Sequence, residues 1–119
     1  MRILVVEDNE SHRKLTKLML DRLGYQSDAV SDGYQAIQAV KHNQYGLVLM
    51  DIVMPGIDGL QAAREIRKLG KRGMKIISIT AYVYSGFRDM CLEAGMDDCI
   101  TKPVCIRDLE NALKRIDRL

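Results

Sequence analysis

The sequence predicts an α/β fold, with one open sheet of five parallel strands in the order 2-1-3-4-5, doubly wound by five helices. Three observations predict it. Short apolar runs alternate with amphipathic segments along all 119 residues, the usual size of one domain, so residues 1–119 are expected to form a single unit. Most of the runs are continuously apolar rather than alternating, as strands covered on both faces are. Four of the five runs also end on a polar residue, so one edge of the sheet collects chemistry.

The first strand is "RILVV" (2–6), and "SHRKLTKLMLDRLG" (11–24) follows as a helix. Its expected inward face is Leu15, Leu18, Met19 and Leu23, with Gly24 as the stop. "QSDAVS" (26–31) alternates polar and apolar residues, as an edge strand does, and "YQAIQAVKHN" (34–43) reads as the second helix. "GLVLM" (46–50) is the third strand. Asp58 can cap a third helix running through Leu60, Ala63 and Ile66 to a stop near Gly70. "KIISIT" (75–80) is the fourth strand. "GFRDMCLEAG" (86–95) is the fourth helix, with Phe87, Cys91 and Ala94 inward. "DCIT" (98–101) is a short fifth strand. "IRDLENALKRIDRL" (106–119) closes the chain with Ile106, Leu109, Leu113 and Ile116 at helical spacing. Right-handed crossovers leave few ways to connect such elements. In the order 2-1-3-4-5 the strand order reverses between strands one and three, where sites form at the carboxyl ends.

Composition excludes several classes. Net charge is +2 with both signs mixed, too little and too scattered for nucleic-acid binding. The densest basic stretch, "RKLGKRGMK" (67–75), reads as a solvated helix end and loop. Three cysteines without a CxxC, and only His12 and His42, suggest neither a disulfide framework nor a zinc site; reduced thiols in a cytoplasmic protein are the plain reading. "MRILVVEDNE" has at most four consecutive apolar residues, too short for a signal core or a membrane span.

The polar strand ends are Glu7 and Asp8 after strand one, Asp51 after strand three, Thr80 after strand four, and Lys102 after strand five. Singly, each has an ordinary reading: Glu7 or Asp8 as a helix cap, Asp51 as a turn opener, Thr80 as a strand residue, Lys102 as a surface lysine. Together they constrain the chemistry. Three clustered carboxylates repel one another, so some protonate or a cation binds; no arginine nearby in sequence is seen to offset them. Oxygen-only ligands in that number suit Mg²⁺, which commonly joins carboxylates to a phosphate. A carboxylate beside Mg²⁺ can attack phosphorus, while a lysine offsets charge on the transferring oxygens and a threonine hydroxyl donates to another.

These residues carry a resemblance. "VVEDN" (5–9), "LMDIVMPGIDG" (49–59), "ITA" (79–81) and "TKP" (101–103) stand in the order and spacing of the receiver domains of two-component response regulators, and the resemblance covers the whole chain. It implies the flavodoxin-like fold and a phosphoacceptor signalling domain rather than an enzyme with a substrate of its own. Asp51 would take a phosphoryl group from a sensor histidine kinase or phosphotransfer protein and switch contacts with a downstream output protein or domain. Glu7, Asp8, Asp51 and the backbone carbonyl of Val53 would hold Mg²⁺. Thr80 and Lys102 would contact the phosphoryl oxygens, a cis peptide would precede Pro103, and Ala81 would keep the site open. Val53 and Tyr82 would flank the phosphoryl group, and neither suits an attacking water, which implies slow self-dephosphorylation. One departure stands out: where the family often has a tyrosine or phenylalanine that turns inward on activation, this chain has Cys99. Output is therefore expected from the loop "AYVYSG" (81–86) and the fourth helix. The reading expected from the sequence is a stand-alone receiver or one cut from a larger regulator or hybrid kinase.

Other readings fit less well. A phosphatase of the haloacid dehalogenase type needs a second acid two residues after its nucleophile, where this chain has Val53. A flavin binder needs a phosphate cradle after strand one, but "EDNES" (7–11) is acidic. No GxxxxGK is present for a P-loop enzyme. A binding module that keeps the fold without being phosphorylated is the remaining alternative, and the complete set Glu7, Asp8, Asp51, Thr80 and Lys102 argues against it.

Overall fold

The computed structural model describes residues 1–81 and 84–116. Strands β1 (Arg2–Val6), β2 (Gln26–Val30), β3 (Leu47–Asp51), β4 (Lys75–Thr80) and β5 (Asp98–Thr101) alternate with helices α1 (Glu10–Arg22), α2 (Gly33–His42), α3 (Gly59–Lys68), α4 (Phe87–Glu93) and α5 (Ile106–Ile116). The strands form one parallel sheet in the order β2-β1-β3-β4-β5, as expected.

Side chains alternate across a strand, so each central strand feeds two cores. Leu4, Val6, Val48, Met50 and Ile76 pack against α2, α3 and α4. Ile3, Val5, Leu47, Leu49, Ile77 and Ile79 pack against α1 and α5. This is why the runs read as continuously apolar. The edge strands β2 and β5 are the exceptions, half-buried along much of their length.

Several boundaries and faces differ from the sequence reading. The third strand runs one residue further than expected and ends on Asp51 itself, which pairs with Ile79 of β4. The cap of α1 is Asn9, whose side-chain oxygen accepts from the His12 N–H at 2.9 Å, so neither Glu7 nor Asp8 is spent as a cap. The inward face of α1 is Thr16, Met19 and Leu20, while Leu15 and Leu18 are exposed. The expected leucine stripe is rotated off the core because α1 turns Met19 and Leu20 onto Ile3 and Val5 of β1. Ile106, at the start of α5, is likewise exposed, and Leu109, Ala112, Leu113 and Ile116 fill that face. Asp58 caps α3 as expected, accepting from Gln61 N–H at 2.9 Å, and Asp32 caps α2. Phe87, Cys91 and Ala94 are buried as expected. In the basic stretch Arg67 is half-buried rather than fully solvated: it reaches back to three oxygens on neighbouring loops.

Candidate functional site

Parallel pairing aligns the carboxyl ends of β1, β3, β4 and β5 along one edge of the sheet. The sequence-predicted residues meet there. One carboxylate oxygen from each of Glu7, Asp8 and Asp51 lies within 4.8 Å of the other two. Glu7 and Asp51 are buried and Asp8 is exposed, so the cluster has dry walls and one wet side. Lys102 Nζ donates to Asp51 Oδ2 at 3.1 Å and to Glu7 Oε2 at 3.3 Å. Thr80 is buried beside them at the end of β4, in register with Thr101. The Lys102–Pro103 peptide is cis.

The electrostatics follow from the count, three carboxylates against one ammonium. Burial, reinforced by the hydrogen bond and charge of Asp51, pushes the Glu7 carboxyl above the ordinary glutamate range. Burial pulls on Lys102 in the other direction, but its bonds to Asp51 and Glu7 outweigh it and hold the ammonium above its usual value. The set has only oxygen donors and an excess of negative charge, which fits a hard divalent cation such as Mg²⁺.

Backbone geometry places Asp51. The turn after β3 folds back so that Gly59 N–H donates to the Ile52 carbonyl at 2.9 Å. A Cβ at Gly59 would run into the Asp51 carbonyl oxygen and come within 2.9 Å of Ile52 Cα. Only glycine lets α3 start this close to the strand end. Val53, in this turn, is exposed, as is Ala81 after β4.

Three features were not found from the sequence. Arg13 of α1 reaches back to the Glu7 main-chain carbonyl, Nη1 to O 2.9 Å, so an arginine stands close to the acids but bonds the backbone rather than their carboxylates. His12 Nδ1 lies 3.5 Å from Glu7 Oε1. A groove of ≈ 440 Å³ opens between α1 and the turn after β5, lined by Leu15, Met19, Pro103 and Val104 and reaching Glu7 and Lys102. The available signal was the position of residues 12 and 13 in the first turn after Asn9, which faces a helix back toward the loop that precedes it.

Cys99 is half-buried beside Ser78 and packs against the core under α4. Of the expected output surface, Tyr84 is exposed, with its ring edge-on to Phe87 at 5.5 Å, and Tyr82 lies outside the described residues.

Among solved structures, the chain is 40% identical to the receiver domain of the sensor histidine kinase PA1611 from Pseudomonas aeruginosa PAO1, which has a magnesium ion coordinated in its active-site cleft; the match covers 98% of this chain and 97% of that one, with a TM-score of 0.89. The chemotaxis protein CheY4 of Vibrio cholerae shares the fold at a TM-score of 0.92 over 97% of each chain, with 21% identity. The sensor histidine kinase RcsC of Escherichia coli K12 is 37% identical over 113 residues, covering 95% of this chain but 12% of the kinase. The sensor protein GacS of Pseudomonas syringae pv. syringae is 38% identical over 112 residues, covering 91% of this chain and 12% of that protein. The chain thus spans about an eighth of the length of these two curated relatives. The response regulator receiver domain family matches residues 3–114. With the sheet order, the clustered acids and the lysine in their places, this chain belongs to the response regulator receiver domain family.

Proposed function

We propose that the chain is the phosphoacceptor of a phosphorelay and that Asp51 takes the phosphoryl group. The observation that carries this is the placement of Asp51: buried at a strand end, 3.1 Å from Lys102 Nζ, with Glu7 and Asp8 oxygens within 4.8 Å. Glu7, Asp8, Asp51 and the Val53 carbonyl would hold Mg²⁺, which when bound offsets charge on the transferring oxygens. The rest is done by this chain's own side chains. An Asp51 carboxylate oxygen forms a bond to phosphorus as the phosphorus–nitrogen bond of a donor phosphohistidine breaks, and the leaving electron pair returns to the imidazole. Lys102, already on the carboxylates, passes to a phosphoryl oxygen, and the Thr80 hydroxyl donates to another.

The donor on this reading is a sensor histidine kinase or a histidine phosphotransfer protein. The apolar groove beside Lys102, with exposed Leu15 on its wall, offers an apolar surface against which it would dock. The phosphorylated form then changes its contacts with an output protein or domain, through α4 and the loop before it. Among the described residues no helix is long and apolar enough to cross a membrane, which suits a cytoplasmic signalling module, one receiver unit over residues 1–119.

Incubation with Mg²⁺ and acetyl phosphate, followed by intact mass, tests the reading. The parent gains one phosphoryl mass. Asp51→Asn gains none, because an amide nearly matches the carboxylate in shape but is a poor nucleophile. A parent that stays unmodified would instead be a binding module that has kept the fold.

A further inference from the structure

The turn between β1 and α1 carries two of the three clustered acids, and several hydrogen bonds tie it down, among them Asn9 N–H to Glu7 Oε1 at 3.3 Å. Glu7 N–H donates to the Val30 carbonyl at 3.1 Å. The Asn9 side chain accepts from His12 N–H at 2.9 Å. The Glu7 carbonyl accepts from Arg13 Nη1 at 2.9 Å. The last tie differs in kind. The β1–β2 ladder ends at the pair Val6↔Val30, so the Glu7 carbonyl lies beyond it. A charged donor six residues along the chain takes its place, and charge-assisted bonds of this type are the stronger ones.

The charge of Arg13 makes its position unexpected. A guanidinium is always ionised and competes with any cation drawn to the same acids. It does not pair with their carboxylates, however; it bonds to the main chain behind them. Its geometry suits holding the turn, while its charge alone would weaken metal binding. The two roles predict opposite signs for its removal.

We infer that Arg13 is a positioning residue: by fixing the Glu7 carbonyl it holds the β1–α1 turn so that the Glu7 and Asp8 carboxylates converge on Asp51, and it thereby sets the affinity of this site for its divalent cation. The inference rests on the proposed Mg²⁺-assisted phosphoacceptor role of the same cluster. Groups that orient metal ligands without touching the metal commonly govern affinity in this way.

The test is Mg²⁺ affinity by calorimetric titration of the parent, Arg13→Met and Arg13→Lys, with acetyl phosphate labelling rates measured across Mg²⁺ concentrations. Methionine keeps an apolar stem and removes the donor. Arg13→Met should bind Mg²⁺ about tenfold more weakly, the lower end of the usual loss for such supporting groups. Its labelling rate at saturating Mg²⁺ should match the parent's, so the loss falls on metal concentration and not on the maximal rate. Arg13→Lys keeps a donor that reaches the carbonyl and should recover most of the affinity. If Arg13→Met does not fold, Arg13→Leu, which also lacks a donor, carries the same comparison. Affinity equal to or tighter than the parent's in the methionine variant overturns the inference and leaves Arg13 as a charge only. A lysine variant as weak as the methionine one overturns the carbonyl bond as the cause. A parent that binds no Mg²⁺ sinks this inference together with the metal site. A parent that binds Mg²⁺ but gains no phosphoryl group sinks the phosphoacceptor role alone, and the affinity comparison still decides Arg13.

Discussion

At the amino ends of β4 and β5, Arg67 donates from Nε to the Gly95 carbonyl at 2.8 Å, from Nη1 to the Met74 carbonyl at 2.6 Å, and from Nη2 to Asp97 Oδ2 at 2.8 Å. Asp97 accepts in addition from the Ile76 N–H at 2.9 Å. At the carboxyl ends of the same sheet, Glu7, Asp8 and Asp51 cluster beside one lysine, which pairs with Glu7 and Asp51. Both clusters are partly withdrawn from water, with Asp8 on the open side of the second, yet they are built by opposite rules. The amino-end cluster has one charge of each sign and a partner for every group named, the arrangement that makes a buried pair tolerable. The carboxyl-end cluster is left with two negative charges in excess when all its acids are ionised, and its strain shows as a Glu7 carboxyl pushed upward. The matched cluster holds the fold together. The mismatched one is held in place by the fold, and such imbalance is a mark of functional sites.

The comparison breaks most visibly at Arg67. Arg67→Ala leaves Asp97 without its cation and two carbonyls without their donor, and should destabilise the fold by about 3 kcal/mol, read by urea unfolding. Arg67→Lys should recover only part, since one ammonium cannot reach three divergent oxygens. A loss within scatter would mean the amino-end cluster is ornamental.

A cation should act in the opposite direction at the other end. Mg²⁺ should raise stability by at most about 2–3 kcal/mol at a hundredfold excess over its dissociation constant. Melting temperature against Mg²⁺ measures this. Asp8→Ala should abolish most of the shift, and Arg67→Ala should keep it. No shift in the parent would count against a metal site.

Acidity sharpens the contrast further. The folded chain holds the Glu7 proton to higher pH than the unfolded chain does, because the folded value is raised. Between the ordinary value near 4.5 and that raised value the native state binds more protons than the unfolded state. Stability therefore falls as pH rises through this window, and is regained on acidification. Glu7→Gln should remove that component without Mg²⁺, so the stability difference between variant and parent grows with pH across the window and then levels off. A constant difference would show that Glu7 is not strained by its neighbours. Lys102 has the usual sign for a raised base: its contribution is present at neutral pH and is lost as pH climbs through a folded value above 10.5.

The smallest effect is expected between the clusters. β5 runs only from Asp98 to Thr101, with Asp97 before it and Lys102 after it, and Cys99 belongs to neither group. Its side chain is too small to repeat the ring movement that the family's aromatic makes there. Cys99→Ala should leave the phosphorylation-dependent change in partner affinity within about 0.5 kcal/mol, the scatter of changes away from special features. Titration of partner into phosphorylated and unphosphorylated protein measures it, and a larger loss would put Cys99 on the signalling route.

The sequence by itself determined the sheet order and the meeting of Glu7, Asp8, Asp51, Thr80 and Lys102, for a topological reason. Once strands are parallel and both faces are covered, every strand end points to the same edge, and the residue types at those ends follow from reading the chain. What only the tertiary structure decided concerns rotation and reach. Leu15 and Leu18 look like core residues by spacing, but the twist of α1 over β1 turns Leu20 inward with Met19 and leaves both leucines exposed, Leu15 on the wall of a groove. Asn9, not an acid, caps α1, a competition among three adjacent polar residues that spacing does not settle. Arg67 reads as solvated charge and Arg13 draws no reading at all, because an arginine's bonds are set by where its long side chain ends, on carbonyls such as those of Glu7 and Gly95 that carry no trace in the sequence. Hydrophobic pattern records which residues leave water; it does not record which main-chain oxygen is left over when the ladder stops.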